Sequence, residues 1–425
     1  MIAGKRETVV MKFGGTSVAD AEQIKRAARR IVAQRESGKR VVAVLSARGK
    51  TTDELIAMAE EVSADPDRRE MDMLLSTGER ISCALCAMAI NDLGHRAISL
   101  TGSQAGIVTD ASHTRARIID VRADRIREAL GEDLIVLVAG FQGVSTSRDV
   151  TTLGRGGSDT TAVALAAAID AEVCEIYTDV AGVFSADPRI VPSARKLPQV
   201  SFEEMLEMAA SGAKVLQLRS VEYARTHGVR IHCRSSFDST PGTFVLGEDE
   251  TMEHPLITAV THSTDEARIT LIGVPDRPGA AAAIFSALAA ANCNVDTIIQ
   301  NEPREEGREA EVSFTISTED LRAAEQALAP VRAELGISRL DMDEEIGKVS
   351  IVGAGMRSHP GVAAKVFETL ASEEINIEMI STSPIKISCV IRAARVPLAV
   401  RALHEAFGLS AAEVRRERPI GQEAR

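Results

Sequence analysis

The second half of the chain contains one pattern twice. The stretch "DRPGAAAAIFSALAAANCNVDTI" begins at Asp276, and "SHPGVAAKVFETLASEEINIEMI" begins at Ser358, at a constant offset of 82 residues. Matched residues at that offset are Pro278 and Pro360, Gly279 and Gly361, Phe285 and Phe367, Leu288 and Leu370, and Asn294 and Asn376. Each copy has the order strand, Pro-Gly turn, helix, strand. The repeat therefore predicts two βαββαβ units of the ferredoxin type, rather than two unrelated alanine-rich helices.

The first half alternates strand-like and helix-like segments up to about residue 248. Valine- and isoleucine-rich runs such as "RVVAVLS", "DLIVLVAGF" and "AEVCEIYTD" alternate with helical patterns such as "DAEQIKRAARRIVAQRES" and "TTAVALAAAIDA". This order predicts an α/β fold with a largely parallel sheet sandwiched by helices. Ligands of such sheets bind at the carboxyl ends of the strands.

The pattern divides the chain into four parts. We predict an α/β domain over residues 1–248, a linker over 249–266, and the two repeat units over 267–345 and 346–425. The charged stretch "GEDETMEHP", Gly247 to Pro255, marks the linker. The segment that follows, "PLITAVTHS", precedes the first copy, and we predict that it pairs as a strand with the second copy.

Composition narrows the function. The 425 residues carry a net charge of −12, which argues against a nucleic-acid partner, because such proteins need a basic surface. The N-terminus lacks the apolar core of a signal peptide, and the longest apolar run, Leu134 to Phe141, is too short to cross a membrane. Six dispersed cysteines suit a reducing compartment. We therefore expect a cytoplasmic protein without a membrane partner, in which Cys83 and Cys86 are packed helical thiols rather than metal ligands.

The stretch "VVMKFGGTSV", Val9 to Val18, has the sequence of a strand that turns into a helix on two glycines. Lys12 precedes Gly14 and Gly15, so the stretch is not a P-loop, in which the lysine follows the glycines. Glycine lets the backbone approach an oxyanion closely, and a helix N-terminus directs N–H groups toward it. Alone, the motif fits either a phosphate cradle or an ordinary structural turn.

A second glycine-rich turn favours the cradle. In "TTLGRGGSDTTAVALAAA", Gly154, Gly156 and Gly157 surround Arg155, and Ser158 and Asp159 begin a helix. A serine or aspartate there is also an ordinary N-cap. Three glycines and an arginine exceed what a cap needs, and a guanidinium binds carboxylate or phosphate with two parallel hydrogen bonds. Two such turns suggest two anionic ligands that face each other.

These motifs together resemble those of aspartate kinases, in the amino acid kinase superfamily. The resemblance covers essentially the whole chain and is carried by "KFGGTSV", "LSARGKTTDEL", "STGERIS", "AGFQGV", "TTLGRGGSDTTAVALAAA", "YTDVAGVFSADPR" and "GAKVLQLRSVEYA". The repeated units are similar to paired ACT domains. The most similar type is the bacterial one in which a catalytic chain carries two ACT domains and is inhibited jointly by lysine and threonine.

The resemblance implies phosphorylation of the β-carboxylate of L-aspartate by ATP with Mg²⁺, the first step toward lysine, threonine, methionine and isoleucine. It implies that Lys12 stabilises the transferring phosphoryl group and that Asp159 orients Lys12. The implied aspartate site is Ser46, Thr52, Glu79, Phe141, Arg155 and Ser158. The implied nucleotide and phosphate site is Gly14, Gly15, Ser17, Thr178, Asp179, Phe184, Asp187, Arg189 and Lys214. No protein metal ligands are expected.

The resemblance also implies effector sites for lysine and threonine at interfaces between ACT domains. In the first copy the matching residues are Asp276, Gly279, Ala281, Asn294, Asp296 and Gln300. In the second copy they are Val362, Ala363, Asn376, Ile377 and Ser383. We expect a homo-oligomer, or a hetero-oligomer with a short subunit that starts internally at Met252.

Three alternatives stay open at this point. The chain could phosphorylate another acceptor, such as acetylglutamate, glutamate or a carbamate. It could be an amino-acid sensor with an inactive kinase domain. It could also be a specialised relative that serves a secondary pathway.

Overall fold

The structure, a computed structural model, describes residues 6–247, 256–301 and 310–410. The chain divides into two compact units. The first consists of Met1–Phe184, Lys196–Ala210 and Lys214–Met252, and the second of Ser185–Arg195, Ser211–Ala213 and Glu253–Arg425. Met252, the proposed internal start, lies outside the described residues, as do the neighbouring linker residues 248–255. The predicted domain boundaries stay predictions.

The first unit contains the alternating elements that the sequence predicted. Its strands are β1 (Thr8–Phe13), β2 (Arg40–Leu45), β3 (Ala97–Leu100), β4 (Ile107–Thr109), β5 (Ile118–Val121), β6 (Ile135–Ala139), β7 (Gln142–Ser145), β8 (Val150–Thr152), β9 (Val173–Thr178), β10 (Gln199–Ser201), β11 (Ile231–Ser235) and β12 (Thr243–Leu246). Its helices are α1 (Ala21–Glu36), α2 (Thr51–Val62), α3 (Arg68–Leu75), α4 (Thr77–Asp92), α5 (Asp124–Gly131), α6 (Gly157–Ala168), α7 (Phe202–Ala210) and α8 (Leu218–His227).

An eight-stranded sheet forms the centre of this unit, in the order β10-β12-β11-β9-β1-β2-β6-β3. Its neighbours are parallel except for the pair β11 and β12. One face packs against α1 and α4 in an apolar core that includes Met11, Phe13, Ile31 and Ile90. Because successive strand residues point to opposite faces, Lys12 faces the other side, where α6 contacts β1. The predicted sheet with helices on both faces is confirmed.

A second sheet of the first unit was not predicted. It has four strands in the order β5-β4-β7-β8, and each strand is only three or four residues long. Strands this short carry too few alternating residues to stand out from a loop. The sheet nevertheless matters for the site, because β8 leads directly into the second glycine-rich turn.

The second unit contains the repeat. Its strands are β13 (Ala259–Ser263), β14 (Glu266–Val274), β15 (Val295–Asn301), β16 (Ala310–Ser317), β17 (Arg339–Asp343), β18 (Ile346–Val352), β19 (Met379–Ser383) and β20 (Lys386–Arg392). Its helices are α9 (Ala280–Ala290), α10 (Leu321–Leu335), α11 (Val362–Ser372) and α12 (Val396–Ala406). The matched glycines Gly279 and Gly361 have φ angles of 101° and 99°, and Leu288 and Leu370 are both fully buried.

The two copies complete their sheets differently. The first copy is contiguous, with strand order β15-β16-β14-β17. The second has the order β13-β18-β20-β19, so its outer strand comes from the chain that precedes the first copy. β13 pairs antiparallel with β18, for example Thr261 with Ser350. This is the pairing predicted from "PLITAVTHS", of which Leu256–Ser263 are described.

All six cysteines of the chain are free and buried. Cys83 and Cys86 lie on α4 and pack in the core, as the helical interpretation predicted. Burial raises the pKa of the Cys86 thiol to about 12. Both thiols therefore stay protonated and have the character of apolar side chains.

One helical stretch, Arg68–Asp92, is long and apolar enough to cross a membrane by length and composition alone. Half of its most apolar window is buried inside the protein. The stretch also carries two buried carboxylates, Asp72 and Glu79, which a lipid environment disfavours. The stretch consists of α3 and α4, which pack against the rest of the first unit. Its length and composition are therefore weak evidence for a membrane span.

Candidate active site

The candidate site lies at the carboxyl ends of the central parallel strands. Lys12 is the last but one residue of β1, and Ser46 comes directly after β2. Phe141 comes two residues after the end of β6, and Thr178 is the last residue of β9. These strands are adjacent in the sheet. Their ends therefore meet along one edge, where the topology predicts ligand binding.

Lys12 and Asp159 form an ion pair at this edge. The distance from Lys12 Nζ to Asp159 Oδ1 is 2.5 Å, and the two side chains are only 12% and 8% exposed. β1 presents the ammonium, and the first turn of α6 presents the carboxylate. The contact predicted between the two residues is present. A buried ammonium whose position is held by a carboxylate is suited to meet negative charge that develops on a ligand.

The first glycine turn lies directly beside Lys12. A Cβ on Gly14 would be 3.5 Å from Lys12 Nζ, and one on Gly15 would be only 2.9 Å from the Ala47 carbonyl oxygen. The Gly14 amide donates to the Tyr177 carbonyl at 3.2 Å. Ser17 is buried, with its hydroxyl 2.5 Å from that of Ser236. The turn continues as a 3₁₀ helix, Gly15–Val18, and its backbone packs too closely for a side chain at Gly15.

The second glycine turn lies at the N-terminus of α6. Gly154 and Gly156 have φ angles of 76° and 69°, in the left-handed region that favours glycine. The Asp159 amide donates to the Gly156 carbonyl at 3.0 Å, which places the carboxylate that pairs with Lys12. Arg155 is exposed between the two left-handed glycines. The structure therefore joins the two turns through one ion pair.

Glu79 on α4 is buried next to the end of β2. Its Oε1 accepts the Ala47 amide at 3.1 Å, while its Oε2 is buried and has no hydrogen-bond partner among the described residues. Burial raises the pKa of this carboxyl to about 7. An unsatisfied buried carboxylate oxygen is costly, so it favours a cationic ligand at this position.

The segment that contains Phe141 packs closely against the start of α6, which contains Ser158. Phe141 has a φ of 67°, a strained conformation for an aromatic residue. Its amide donates to the Thr161 hydroxyl at 3.2 Å, and its carbonyl accepts the Leu153 amide at 2.9 Å. A Cβ on Gly140 would lie 2.7 Å from Ser158 Oγ. Backbone strain of this kind accumulates at functional sites.

Thr52, which was also predicted for the aspartate site, lies in the first turn of α2.

The residues predicted for the nucleotide fall in both units. Thr178, Asp179, Phe184 and Lys214 belong to the first unit, where the Thr178 hydroxyl donates to Asp179 at 3.1 Å. Asp187 and Arg189 belong to the second unit and form a bidentate ion pair with each other. That guanidinium lowers the pKa of the Asp187 carboxyl.

The predicted effector residues lie at equivalent places in the two copies. Asp276, Gly279 and Ala281 surround the start of α9, and Val362 and Ala363 begin α11. Asn294, Asp296 and Gln300 precede or lie on β15, and Asn376, Ile377 and Ser383 precede or lie on β19. Asp296 is already paired: Lys348 Nζ on β18 is 2.6 Å from its carboxylate and 2.6 Å from that of Glu266.

Some residues around these sites were not predicted from the sequence. Gly140 makes room for Ser158, and the Ala47 amide binds Glu79. Gly140 stands in the quoted motif "AGFQGV", so a glycine directly after a strand was an available signal. Lys348 is isolated in the sequence and gave no signal of its buried ion pairs.

Comparisons with known proteins agree with this geometry. The amino acid kinase family matches residues 7–235, and ACT domains match residues 268–333 and 349–407. The chain is 58% identical to the aspartokinase of Mycolicibacterium smegmatis over 94% of this chain and 96% of that protein. It is 53% identical to the aspartokinase of Corynebacterium glutamicum over 94% of this chain and 96% of that one. The chain belongs to the aspartokinase family.

Solved structures support the same assignment. Escherichia coli aspartokinase III in complex with aspartate and ADP matches with a TM-score of 0.80 and 27% identity, covering 94% of this chain and 99% of that one. The same enzyme in complex with lysine and aspartate matches with a TM-score of 0.72. As an aspartokinase, this chain is an ATP-using kinase with a carboxyl group as acceptor, and it belongs to amino-acid biosynthesis.

Proposed function

We propose that this aspartokinase transfers the γ-phosphoryl group of ATP to the β-carboxylate of L-aspartate, giving 4-phospho-L-aspartate. The observation that carries the proposal is the buried carboxylate of Glu79, one oxygen of which has no hydrogen-bond partner among the described residues. L-aspartate has an ammonium group between two carboxylates. An ammonium bound at Glu79 would satisfy that oxygen and allow the carboxylate to ionise.

We propose that the remaining groups of the acceptor bind to the other residues predicted for the aspartate site. Arg155 would bind the α-carboxylate with two parallel hydrogen bonds. Ser46, Thr52, Phe141 and Ser158 would line the site and direct the β-carboxylate toward Lys12. The β-carboxylate is ionised at neutral pH and is itself the nucleophile, so the reaction needs no strong general base.

Catalysis then depends on positioning and on charge. Lys12 would neutralise the charge that builds on the phosphoryl oxygens during transfer, and Asp159 would hold the ammonium in place. Backbone amides of Gly14 and Gly15 and the Ser17 hydroxyl would contact the phosphates. Thr178, Asp179, Phe184, Asp187, Arg189 and Lys214 would bind the rest of the nucleotide.

We propose that Mg²⁺ arrives bound to ATP. Among the described residues no group of three His, Cys, Asp or Glu side chains is placed to hold a metal ion. Mg²⁺ commonly keeps several of its waters and binds through substrate phosphates, with few protein ligands. When bound, the ion would reduce the charge on the phosphates.

The test is formation of the corresponding acyl phosphate from ATP-Mg²⁺ and each of four acceptors: L-aspartate, N-acetylglutamate, glutamate and carbamate. We expect phosphorylation of L-aspartate alone. A preference for another acceptor would replace L-aspartate as the substrate. Absence of activity with every acceptor would favour the inactive sensor.

We further propose that lysine and threonine regulate the enzyme through the ACT copies. The helix N-terminus after Gly279 would bind the carboxylate of an effector. Because Lys348 already occupies Asp296, the exposed Asp276 is the better partner for the effector's ammonium. Assays with lysine, with threonine and with both test this proposal. Loss of activity only with both would support joint inhibition, and indifference to both would contradict it.

We propose a cytoplasmic oligomer, either of this chain alone or with a short subunit translated from Met252. The short subunit would contain both ACT copies. Expression of the gene with Met252→Leu should abolish the short chain while the long chain remains. Persistence of the short chain in that variant would show that Met252 is not its start.

A further inference from the structure

Asp72 on α3 is a fully buried carboxylate outside every group of residues assigned above. Its Oδ1 accepts the Thr152 hydroxyl at 2.5 Å and the Thr114 amide at 3.0 Å. Its Oδ2 lies 2.7 Å from His113 Nδ1. Thr152 ends β8, directly before the second glycine turn, whereas His113 and Thr114 belong to the loop between β4 and β5. One buried charge therefore binds two separate segments.

Thr114 shows why such an anchor is needed. Its φ is 68°, which is unusual and strained for a β-branched residue. The hydrogen bond from its amide to Asp72 holds this conformation. Its carbonyl oxygen would lie 3.2 Å from a Cβ on Gly154, so the strained residue lies directly against the first glycine of the turn.

Arg219 on α8 binds the same two segments from another side. Its Nη1 donates to the Leu153 carbonyl at 2.7 Å, and its Nη2 donates to the Ala116 carbonyl at 3.1 Å. Burial lowers the pKa of this guanidinium, so its position costs desolvation free energy, which the two carbonyl bonds offset. A backbone bond from the Ala116 amide to the Thr152 carbonyl, at 2.9 Å, completes the connection.

We propose that Asp72 and Arg219 are positioning residues for acceptor binding. They fix residues 152–154 against the β4–β5 loop. These residues directly precede Arg155 in the sequence. The hydrogen bonds given above run to the β4–β5 loop and to residues 152 and 153 and not to the proposed substrate residues, so we infer that Asp72 and Arg219 act through the turn. The proposal rests on the proposed role of Arg155 as the ligand of the α-carboxylate of L-aspartate.

Asp72→Asn and Arg219→Met test the proposal, since each keeps approximate size and removes the charge. We expect the KM for L-aspartate to rise about tenfold or more, the effect of weakening a charge-assisted hydrogen bond, while the KM for ATP stays near its wild-type value. Glu70→Gln on α3 and Arg225→Met on α8 are matched controls, because both side chains are exposed on the same two helices. They should leave both constants unchanged.

The route through Arg155 is tested in an Arg155→Met background. If Asp72 and Arg219 act through that guanidinium, their substitution should raise the KM for L-aspartate little further there. Increases that multiply with the effect of Arg155→Met would overturn the proposed route. A lower melting temperature with an unchanged KM would assign the two residues to fold stability alone and overturn the proposal.

Hydrogen–deuterium exchange provides a readout that does not depend on the acceptor. The amides of residues 153–159 should exchange faster in Asp72→Asn and Arg219→Met than in the controls, because the turn opens more often. Wild-type exchange there would contradict the positioning role even if L-aspartate is not the substrate. If Asp72→Asn does not fold, Thr152→Val removes one donor to Asp72, and Thr152→Ser should restore normal exchange and KM.

Discussion

The two glycine turns that flank the Lys12–Asp159 pair have similar sequences but are held in place differently. The first, at Gly14 and Gly15, is positioned largely by backbone atoms, those of Tyr177, Ala47 and Gly49. The second, from Gly154 to Gly157, is connected to the buried carboxylate of Asp72 on α3 and to the half-buried guanidinium of Arg219 on α8. One turn is fixed by close approach of main chains, and the other by hydrogen bonds with charged side chains that are distant in the sequence.

This difference has a consequence for mutation. A turn fixed by main-chain contact tolerates changes of surrounding charge but does not tolerate added volume. A turn fixed by buried charges is sensitive to substitutions far from it in the sequence. The predictions below run from the largest expected effect to the smallest, and the last two both concern Glu79.

The largest effect should come from Lys12→Met, which removes the ammonium that lies between both turns. We expect kcat to fall by about 10²-fold or more, as when an oxyanion-stabilising donor is removed. The variant also leaves the buried Asp159 unpaired, so it should melt at a lower temperature. Steady-state kinetics and thermal unfolding measure the two effects. Lys25→Met, on the exposed face of α1, is the control, and near wild-type kcat in Lys12→Met would refute the role.

The second prediction concerns added volume in the first turn. Gly15→Ala places a Cβ 2.9 Å from the Ala47 carbonyl oxygen, whereas Gly14→Ala meets Lys12 Nζ at an ordinary 3.5 Å. Backbone cannot yield easily, so Gly15→Ala should lower the free energy of unfolding by about 1–3 kcal/mol. Its kcat/KM should also fall more than that of Gly14→Ala. Equal effects in chemical denaturation and kinetics would show that close packing does not define this turn.

The third prediction is that activity lost by a substitution in the second turn can be partly restored by a second substitution in the segment before α8. A Cβ on Gly156 would lie 1.9 Å from Gln217 Cγ, and a side chain, unlike backbone, can be removed. Gly156→Ala should reduce kcat/KM, and Gln217→Gly in the same chain should restore part of it. Left-handed strain at a φ of 69° limits the recovery. Rescue is measured against Gln217→Gly alone, and no recovery at all would contradict the steric explanation.

The smallest effects concern Glu79, the buried carboxyl group beside the first turn. Its pKa is raised from 4.5 to about 7, and the ionised form should bind the ammonium of L-aspartate. The KM for L-aspartate should therefore fall several-fold as the pH rises through about 7. Glu79→Gln should remove this dependence along with much of the affinity. A KM profile that stays unchanged in Glu79→Gln would exclude Glu79 as the titrating group.

The same pKa predicts how stability depends on pH. Between 4.5 and about 7 the folded protein holds more protons at Glu79 than the unfolded chain does. The contribution of Glu79 to the free energy of unfolding therefore falls as the pH rises through this window. Denaturation at several pH values should show a smaller loss, or a larger gain, of stability between pH 4.5 and about 7 in Glu79→Gln than in the wild type.

Much of the fold could be predicted because its signals are local. The strands of the large sheet are runs of β-branched residues, and the repeat places glycine at both positions where φ is close to 100°. The short strands β4, β5, β7 and β8 were missed, since three or four residues carry no clear period. Strand β13, which pairs with the second copy, was predicted from its place before the first copy.

The candidate site could be predicted in part for a similar reason. Lys12, Asp159 and the two glycine turns stand in motifs, and the structure joins them. Asp72 and Lys348 stand in none, and Arg219 stands in "GAKVLQLRSVEYA" without an assigned role, so in sequence each resembles a solvated surface charge. Only the tertiary structure shows that each has hydrogen-bond or ion-pair partners tens of residues away, and that Asp72 and Lys348 are buried.

The strand exchange in the repeat bears on the order of folding. β13 lies before the first copy and pairs with β18 after it, so the first copy is an insertion within the second. The first copy brings its own ends together, because β14 pairs with β17, with Arg268 opposite Asp343. Its folding therefore shortens the loop that β13 and β18 must close, and a shorter loop costs less chain entropy. We therefore expect the first copy to fold early and the pairing of β13 with β18 in the second copy to follow.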